Sequence, residues 1–284
     1  MRNLILFDDK NVWTDLLPIT YTRPLADIRI GIMTIRQKWQ MRFPDTVVSA
    51  LTMPYLSTKY PTTDADCSTF IAGHILPDDS LAEAIGNLSV GTALMAGDEL
   101  LAFCGCRCDF DAKNFATICR YDSEFSVVHF LYDIFLKNDC EIKRDFKTLT
   151  AGRQSQPLPE SCTVIGPRML DDGLPSIFIE EGASIEGTYL NTNEGPIYIG
   201  KDAVVMEGSC IRAPFAACSH AQVNMGAKIY GATTIGPHCK VGGELSNVVM
   251  LGFSNKAQDG YLRSSEIRES GPSGAGTTAS SLIG

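Results

Sequence analysis

"GPIYIGKDAVVMEGSCIRAPF", residues 195–215, carries Ile199, Val205 and Ile211 six residues apart. A period of six matches neither the alternation of a strand nor the turn of a helix, about 3.6 residues. Stepping on by six gives Ala217, Val223, Ile229, Ile235 and Val241, so eight apolar residues fall in phase. With aliphatic residues and Ala at roughly a third of positions, chance produces such a run on the order of once in several thousand. The next residue is Gly at 200, 236 and 242. The fifth position of each hexad is mostly small: Ala203, Ser209, Phe215, Ala221, Ala227, Thr233, Cys239 and Leu245. Ile179 and Ile185 keep the spacing upstream, and Gly195-Pro196 marks an extra turn between the two blocks.

This is the pattern of a parallel β-helix built from hexapeptide repeats. Each hexad supplies a short strand and a turn, and three hexads make one triangular coil. The aliphatic residue points inward and stacks on its equivalent in the next coil. A single coil cannot bury its own apolar face, so only stacking stabilises it.

Residues 1–150 read differently, as an α/β domain of alternating strands and helices. The apolar run Asn3–Phe7 ends in Asp8-Asp9. Asp27 caps a predicted helix whose Ile28, Ile32, Ile35 and Trp39 share one face, and Pro44 ends it. Strands are predicted at Thr46–Leu51, Thr69–Ala72, Ala93–Ala96 and Leu100–Cys104. Helices are predicted from Asp79 or Ser80 to about Asn87, and over Phe125–Lys137. The stretch AGRQSQPLPE, residues 151–160, is polar, carries two prolines and reads as a linker. Residues 161–284 form the repeat domain.

The 284 residues suffice for two domains. A net charge of −9 argues against a nucleic-acid-binding face, but not against a small phosphorylated ligand held by a local cationic cluster. The apolar run LILF is too short for a signal peptide or a membrane span. The expectation is a cytoplasmic protein with no membrane partner. The ten cysteines then read as free thiols. Alternation puts Cys104, Cys106 and Cys108 on one face of a strand, either as small core residues or as ligands for a soft metal. No CxxC pair and no nearby His completes such a site.

Several segments resemble the bifunctional sugar-1-phosphate nucleotidyltransferase/acetyltransferases, in a shortened, GlmU-like branch whose best-known members make UDP-N-acetylglucosamine. They are LFDD (6–9), LLPITYTRPLADIRIGIMTIRQKW (16–39), LTAGRQSQPL (149–158), residues 195–215, and VNMGAKIYGATTIGPHCKVGGE (223–244). The resemblance implies a reduced nucleotidyltransferase-like α/β domain, a left-handed β-helix and a homotrimer. It also implies two active sites.

The family's nucleotidyl site follows its first strand with a loop of the type L-A-A-G-x-G-T-R and then a P-K pair. Here LILF is followed by Asp8–Asp15 with no glycine, and Leu25 sits where the family has lysine. The segment LLPITYTRP resembles the family's P-L-T-x-x-R-P. The resemblance implies Arg23 as the cation on the phosphates and Asp8, Asp9 or Asp27 as ligands of Mg2+. Alternatively, Arg23 pairs with Asp27, and Asp8-Asp9 merely ends a strand.

The acetyl site resembles S-N-K-A-H-D-G-[YF]-L-G. This chain reads Ser254-Asn255-Lys256-Ala257-Gln258-Asp259-Gly260-Tyr261-Leu262-Arg263. Gln258 replaces the histidine base, and an amide takes no proton near neutral pH. Asp259 is the candidate substitute. Asn255, Lys256 and Tyr261 are candidate substrate contacts. Gly274, Ala275, Gly276 and Thr277 match the N-x-G-A-G-T stretch near acetyl-CoA, with Pro272 in place of the asparagine. Arg263 and Arg268 occupy slots that favour glycine, and the chain stops short of the family's last coils. The expectation is a frayed last coil, a coil covered by a neighbouring subunit, or a truncated chain. His220 and His238 fall at fourth positions of their hexads, where they could line a seam between subunits. His74 and His129 have no partner visible in the sequence.

Three readings follow. One is nucleotidyl transfer from an NTP, first UTP, to a hexose 1-phosphate such as N-acetylglucosamine 1-phosphate. The second is acetyl-CoA-dependent transfer to an amino-sugar phosphate. The third is a non-catalytic scaffold that binds sugar nucleotides.

Overall fold

The computed structural model describes residues 2–257, 260–267 and 279–280. The chain forms two compact units, Met1–Ile28 with Met33–Asp133, and Arg29–Ile32 with Ile134–Gly284. The seam falls at Asp133/Ile134, ahead of the 151–160 stretch.

The first unit is built on a six-stranded sheet: β1 (Arg2–Phe7), β2 (Thr46–Leu51), β3 (Ser68–Ala72), β4 (Thr92–Ala96), β5 (Glu99–Gly105) and β6 (Thr117–Arg120), in the order β2-β1-β3-β5-β4-β6. β1 runs parallel to β2 and β3, whereas β5 is antiparallel to β3. The chain leaves β1 toward β2 on one side and then crosses to β3 on the other. That reversal makes the carboxyl ends of β1 and β3 the place where open α/β sheets bind ligands. Leu4, Ile5 and Leu6 are buried, as the apolar run predicts for a covered parallel strand.

Three local expectations are corrected. The helix predicted from Ile28 begins only at Ile35 and ends at Arg42; Thr34 caps it, and Gln37 completes a capping box. The cause is Gly31, whose φ of +73° lies in the left-handed region that a helix interior does not adopt. The helix predicted over Phe125–Lys137 is a short strand, Ser126–Val127, paired with Ile75–Leu76, followed by a helix at Leu131–Leu136. Val128 N–H donates to the His74 carbonyl, and the Asp133 carboxylate accepts from the N–H groups of His129 and Phe130. These bonds hold the segment in extended and turn geometry. The alternation through Cys104, Cys106 and Cys108 breaks at Gly105, where β5 ends. Cys106 caps the helix Arg107–Ala112 and is joined to Cys108 in a disulfide, so not all ten cysteines are free.

The second unit is a curled stack of parallel strands, consistent with the left-handed β-helix expected. Its ladders form three columns. One runs from Thr163–Ile165 through Tyr189–Asn191, Cys210–Arg212 and Lys228–Tyr230 to Glu244–Met250. The second runs from Ile177–Ile179 through Ile197–Ile199 and Phe215–Ala217 to Thr233–Ile235. The third runs from Ser184–Ile185 through Val204–Val205, Gln222–Val223 and Lys240–Val241 to Asn255–Lys256. All eight in-phase residues from Ile199 to Val241 are buried in one core. The eight fifth-position residues from Ala203 to Leu245 are buried as well.

The coil between Val241 and Lys256 is shorter. Val223 pairs with Val241 eighteen residues on, but Val241 pairs with Lys256 only fifteen residues on. Glu244–Met250 continues as one strand and serves two columns. At one corner Asp202, His220, His238 and Phe253 all have positive φ. The His220 and His238 rings stack at 4.6 Å, and His238 stacks on Phe253 at 4.8 Å.

A helix at Asn138–Thr150 lays Ile142 and Phe146 against Phe178, Tyr198, Ala216 and Cys218. The Arg29–Ile32 strap joins this layer. Gly31 N–H donates to Asn138 Oδ1, Ile32 N–H donates to Asp145 Oδ2, and Thr234 Oγ1 donates to the Gly31 carbonyl. The 151–160 stretch lies along the coil: Gln156 N–H bonds the Ile179 carbonyl, and Ser155 Oγ accepts from Ile179 N–H. Arg153 grips Glu180 with two nitrogens, and Tyr198 donates to the same carboxylate.

A Cβ at Gly31 would lie 2.5 Å from Asp145 Oδ2 and 2.7 Å from the Glu141 backbone. Gly31→Ala is expected to destabilise the chain by at least about 1–3 kcal/mol from the left-handed backbone alone. Ile229→Ala is expected to cost about 2–5 kcal/mol through the cavity it leaves in the stack. Urea unfolding followed by circular dichroism checks both; midpoints unchanged from the parent chain would contradict these packing assignments.

Candidate active site

The residues that follow β1 and β3 include Asp8, Asp9 and His74. Asp8 follows β1 directly. Its own N–H continues the ladder to the Leu51 carbonyl. Its Oδ1 accepts from the Leu25 N–H at 2.9 Å, and its Oδ2 accepts from Thr52 Oγ1 at 2.6 Å. Burial nevertheless pushes the carboxyl up to about 6, with the nearby Asp27 acting in the same sense; the bonds from Thr52 and Leu25, and the Arg36 charge, only partly offset this.

Asp9 caps the short helix Lys10–Asp15, accepting from the N–H groups of Asn11 and Val12. This capped turn stands where the family's glycine-rich loop is expected. Asp27 is held in a two-pronged ion pair by Arg36, at 2.7 and 2.8 Å. Arg23 lies between two 3-10 turns with its side chain buried, 2% exposed. Beside Asp8 stands Tyr55, whose hydroxyl is pushed up by burial, Tyr21 and the Asp8 charge and donates to the Tyr21 carbonyl.

Gly73 directly follows β3. Its N–H bonds the Phe7 carbonyl, and a Cβ there would lie 3.1 Å from that oxygen and 3.3 Å from Ala26 N. The next residue, His74, places Nε2 2.7 Å from Glu99 Oε1, and His129 Nε2 lies 3.7 Å from the same oxygen. The hydrogen bond from His74 holds the Glu99 carboxyl below its usual value, against burial and the Asp9 charge. No sequence spacing links residues 74, 99 and 129, so this trio was not foreseen. Neither was the bond from Thr52 to Asp8.

The residues expected at an acetyl site fare differently. Lys256 takes the inward slot opposite Val241, and its ammonium donates to the Gly242 and Gly260 carbonyls. Asn255 is exposed, with Oδ1 accepting from Ala257 N–H. Tyr261 is half-buried and pairs with Glu244. Asp259, with Gln258, lies outside the described residues, as do Arg268, Pro272, Gly274, Ala275, Gly276 and Thr277. His220 and His238 are committed to their corner stack, with Asp202 3.8 Å from His220. No helix among the described residues is long and apolar enough to cross a membrane.

The strand order reverses beside the partly buried Asp8, and such a switch point is where open α/β sheets bind ligands. A family model for sugar nucleotidyl transferases matches residues 4–154, just over half the chain, and the chain belongs to that family. The match supports sugar nucleotidyl transfer in general and not the GlmU-like branch in particular. No curated protein matches the chain.

Folded, Asp8 keeps its proton up to about pH 6; unfolded, it loses it near 3.8. Its contribution to stability is therefore greatest below pH 3.8 and falls as the pH rises through 6. Asp8→Asn, which retains an acceptor for Leu25, removes that loss. Relative to the parent chain, it is expected to gain about 2–3 kcal/mol between pH 4 and pH 7 without divalent ions. Parallel urea titrations at the two pH values measure this; a pH-independent difference would contradict the burial of the charge.

Proposed function

We propose that the first unit transfers a nucleotidyl group from an NTP, with UTP the first candidate, to a hexose 1-phosphate such as N-acetylglucosamine 1-phosphate. The observation that carries this reading is the desolvated Asp8 at the carboxyl end of β1, inside the segment the family model matches. In the reaction, a phosphate oxygen of the sugar attacks the α-phosphorus. The bond to the bridging oxygen breaks, and pyrophosphate leaves with the electron pair. The protein's work is positioning and charge neutralisation.

Mg2+ is the ion expected of such an enzyme, and hard oxygen donors suit it. Asp8 fits, because a carboxylate stripped of water gains most from a cation. Asp9, the next residue, supplies a second carboxylate. Arg36 already occupies both oxygens of Asp27, so we assign Asp8 and Asp9 as the ligands and Asp27 as their support through Arg36. When bound, the ion spreads the charge of the phosphates. Arg23 is assigned as the cation that is to stabilise the pyrophosphate, from its place in the segment LLPITYTRP that resembles P-L-T-x-x-R-P. The β-helix is assigned to oligomer formation, with a trimer as the expected state. Acetyl transfer has weaker support, since the Lys256 ammonium is engaged by two main-chain carbonyls.

The test is pyrophosphate release from the purified chain with Mg2+ across NTPs and sugar 1-phosphates. At least one pair is expected to turn over, and Asp8→Asn is expected to lower kcat/KM by about 100-fold or more. Folded protein releasing no pyrophosphate from any pair would overturn the reading. Sugar-nucleotide binding without turnover would favour the scaffold instead.

A further inference from the structure

Nucleotidyl transfer as assigned above leaves His74, Glu99 and His129 without a role. These three come from distant parts of the chain, and the fold has specific means of joining them. His74 follows β3 after one glycine. Glu99 begins β5, and because β5 is antiparallel to β3, its first residue lies at the carboxyl end of β3. His129 follows the strand Ser126–Val127, which pairs with Ile75–Leu76. Val128 N–H donates to the His74 carbonyl, and His129 N–H donates to Asp133 Oδ2 at 2.9 Å. Both imidazoles are thus carried on hydrogen-bonded backbone.

One ligand atom from each residue lies within 4.8 Å of the other two. The closest pair is 2.7 Å apart, and His129 Nε2 is 3.7 Å from Glu99 Oε1. Four-coordinate zinc, with bonds of about 2.0–2.1 Å, separates neighbouring donors by roughly 3.3 Å. The observed spread brackets that value. A hydrogen bond between His74 and Glu99 accounts for those two residues alone. It gives no reason for a second imidazole to stand edge-on to the first, with ring centroids 5.0 Å apart and an interplanar angle of 84°. A shared cation does.

The donor set selects the ion. Two imidazole nitrogens and one carboxylate oxygen are the ligands of open, three-residue sites for borderline metals. Mg2+ prefers oxygen ligands throughout and dehydrates reluctantly. The His74 side chain is 2% exposed and forms the inner wall; Glu99 and His129, each about one-third exposed, leave the site open to an entering ion.

We propose that His74, Glu99 and His129 bind one borderline divalent ion of the Zn2+ or Co2+ type, separate from the Mg2+ assigned to Asp8 and Asp9. Binding is read without nucleotide or sugar, so its failure and that of nucleotidyl transfer are distinguishable.

The test strips the full chain with a chelator and titrates it with Zn2+ by calorimetry and with Co2+ by visible absorption. One equivalent is expected, with cobalt ligand-field bands and no sulfur-to-cobalt charge transfer. Excess Mg2+ is not expected to displace it. His129→Ala and Glu99→Gln, both at partly exposed positions, are expected to weaken binding by about 100-fold or more, since even outer residues of metal sites cost 10- to 100-fold. Unchanged circular dichroism confirms that these variants fold. Three results would overturn the proposal: no stoichiometric binding, parent-like affinity in both ligand variants, or a charge-transfer band showing that exposed thiols such as Cys67 and Cys119 hold the ion.

Discussion

The second unit depends on one constraint: an inward side chain of a coil is dry only when another coil lies on it. Ile185, Val205, Val223 and Val241 stack in one column, each paired in register with the next. Each coil therefore both needs its neighbour and templates it, the nearest-neighbour logic of a solenoid. The fifth-position residues form a second inward set and explain why so many are small. The constraint tolerates one exception in this column. Lys256 takes the slot after Val241, and its ammonium is satisfied by the carbonyls of Gly242 and Gly260. A buried ammonium without such bonds would be costly.

The first unit obeys a different constraint. Its strands end at a crevice because the connections from β1 reverse direction, and polar side chains that follow the strands converge there without any sequence repeat. Asp8 is the clearest consequence. It receives two hydrogen bonds yet remains hard to ionise, because lost hydration outweighs them. Structural carboxylates in the same chain behave in the opposite way. Arg153 and Tyr198 hold the Glu180 carboxyl below its usual value, overcoming burial. A carboxylate left desolvated and under-compensated, at a ligand-binding crevice, is the pattern of a site where stability yields to chemistry.

These two constraints explain what could be read in advance. The coil was legible because its information is local and repeated: the eight in-phase residues suffice. The strands Asn3–Phe7 and Thr46–Leu51 were legible because apolar runs of that length between breakers suit buried strands. The helix expected from Ile28 failed because helical spacing cannot distinguish a helix from a strap. Arg29–Ile32 is fixed by Asn138, Asp145 and Thr234, all more than a hundred residues away. The same applies to Phe125–Lys137, whose apolar positions hide a strand made by pairing with Ile75–Leu76. Asp8 was a candidate from its place after the first strand, but its burial, and the bonds from Thr52 and Leu25 that partly offset it, leave no spacing in the sequence. The His74–Glu99–His129 trio depends on one antiparallel strand pair and one two-residue bridge, neither of which leaves a spacing in the sequence.

The polar groups inside the two units also differ in what they leave available. In the coil, Ser209 donates to the Asn224 carbonyl, Thr233 donates to the Tyr230 carbonyl and accepts from Val248 N–H, and Lys256 caps two carbonyls. Each completes the backbone of a turn, and removing it would cost folding before it cost chemistry. In the first unit, Asp8 follows β1, and the His74, Glu99 and His129 donors converge on one another beside the end of β3. A cation would lower their free energy, whereas it has little to offer the Ser209, Thr233 and Lys256 groups already bonded to main chain. The regular half of the chain thus supplies order, and the irregular half holds the groups whose energies a ligand can still change.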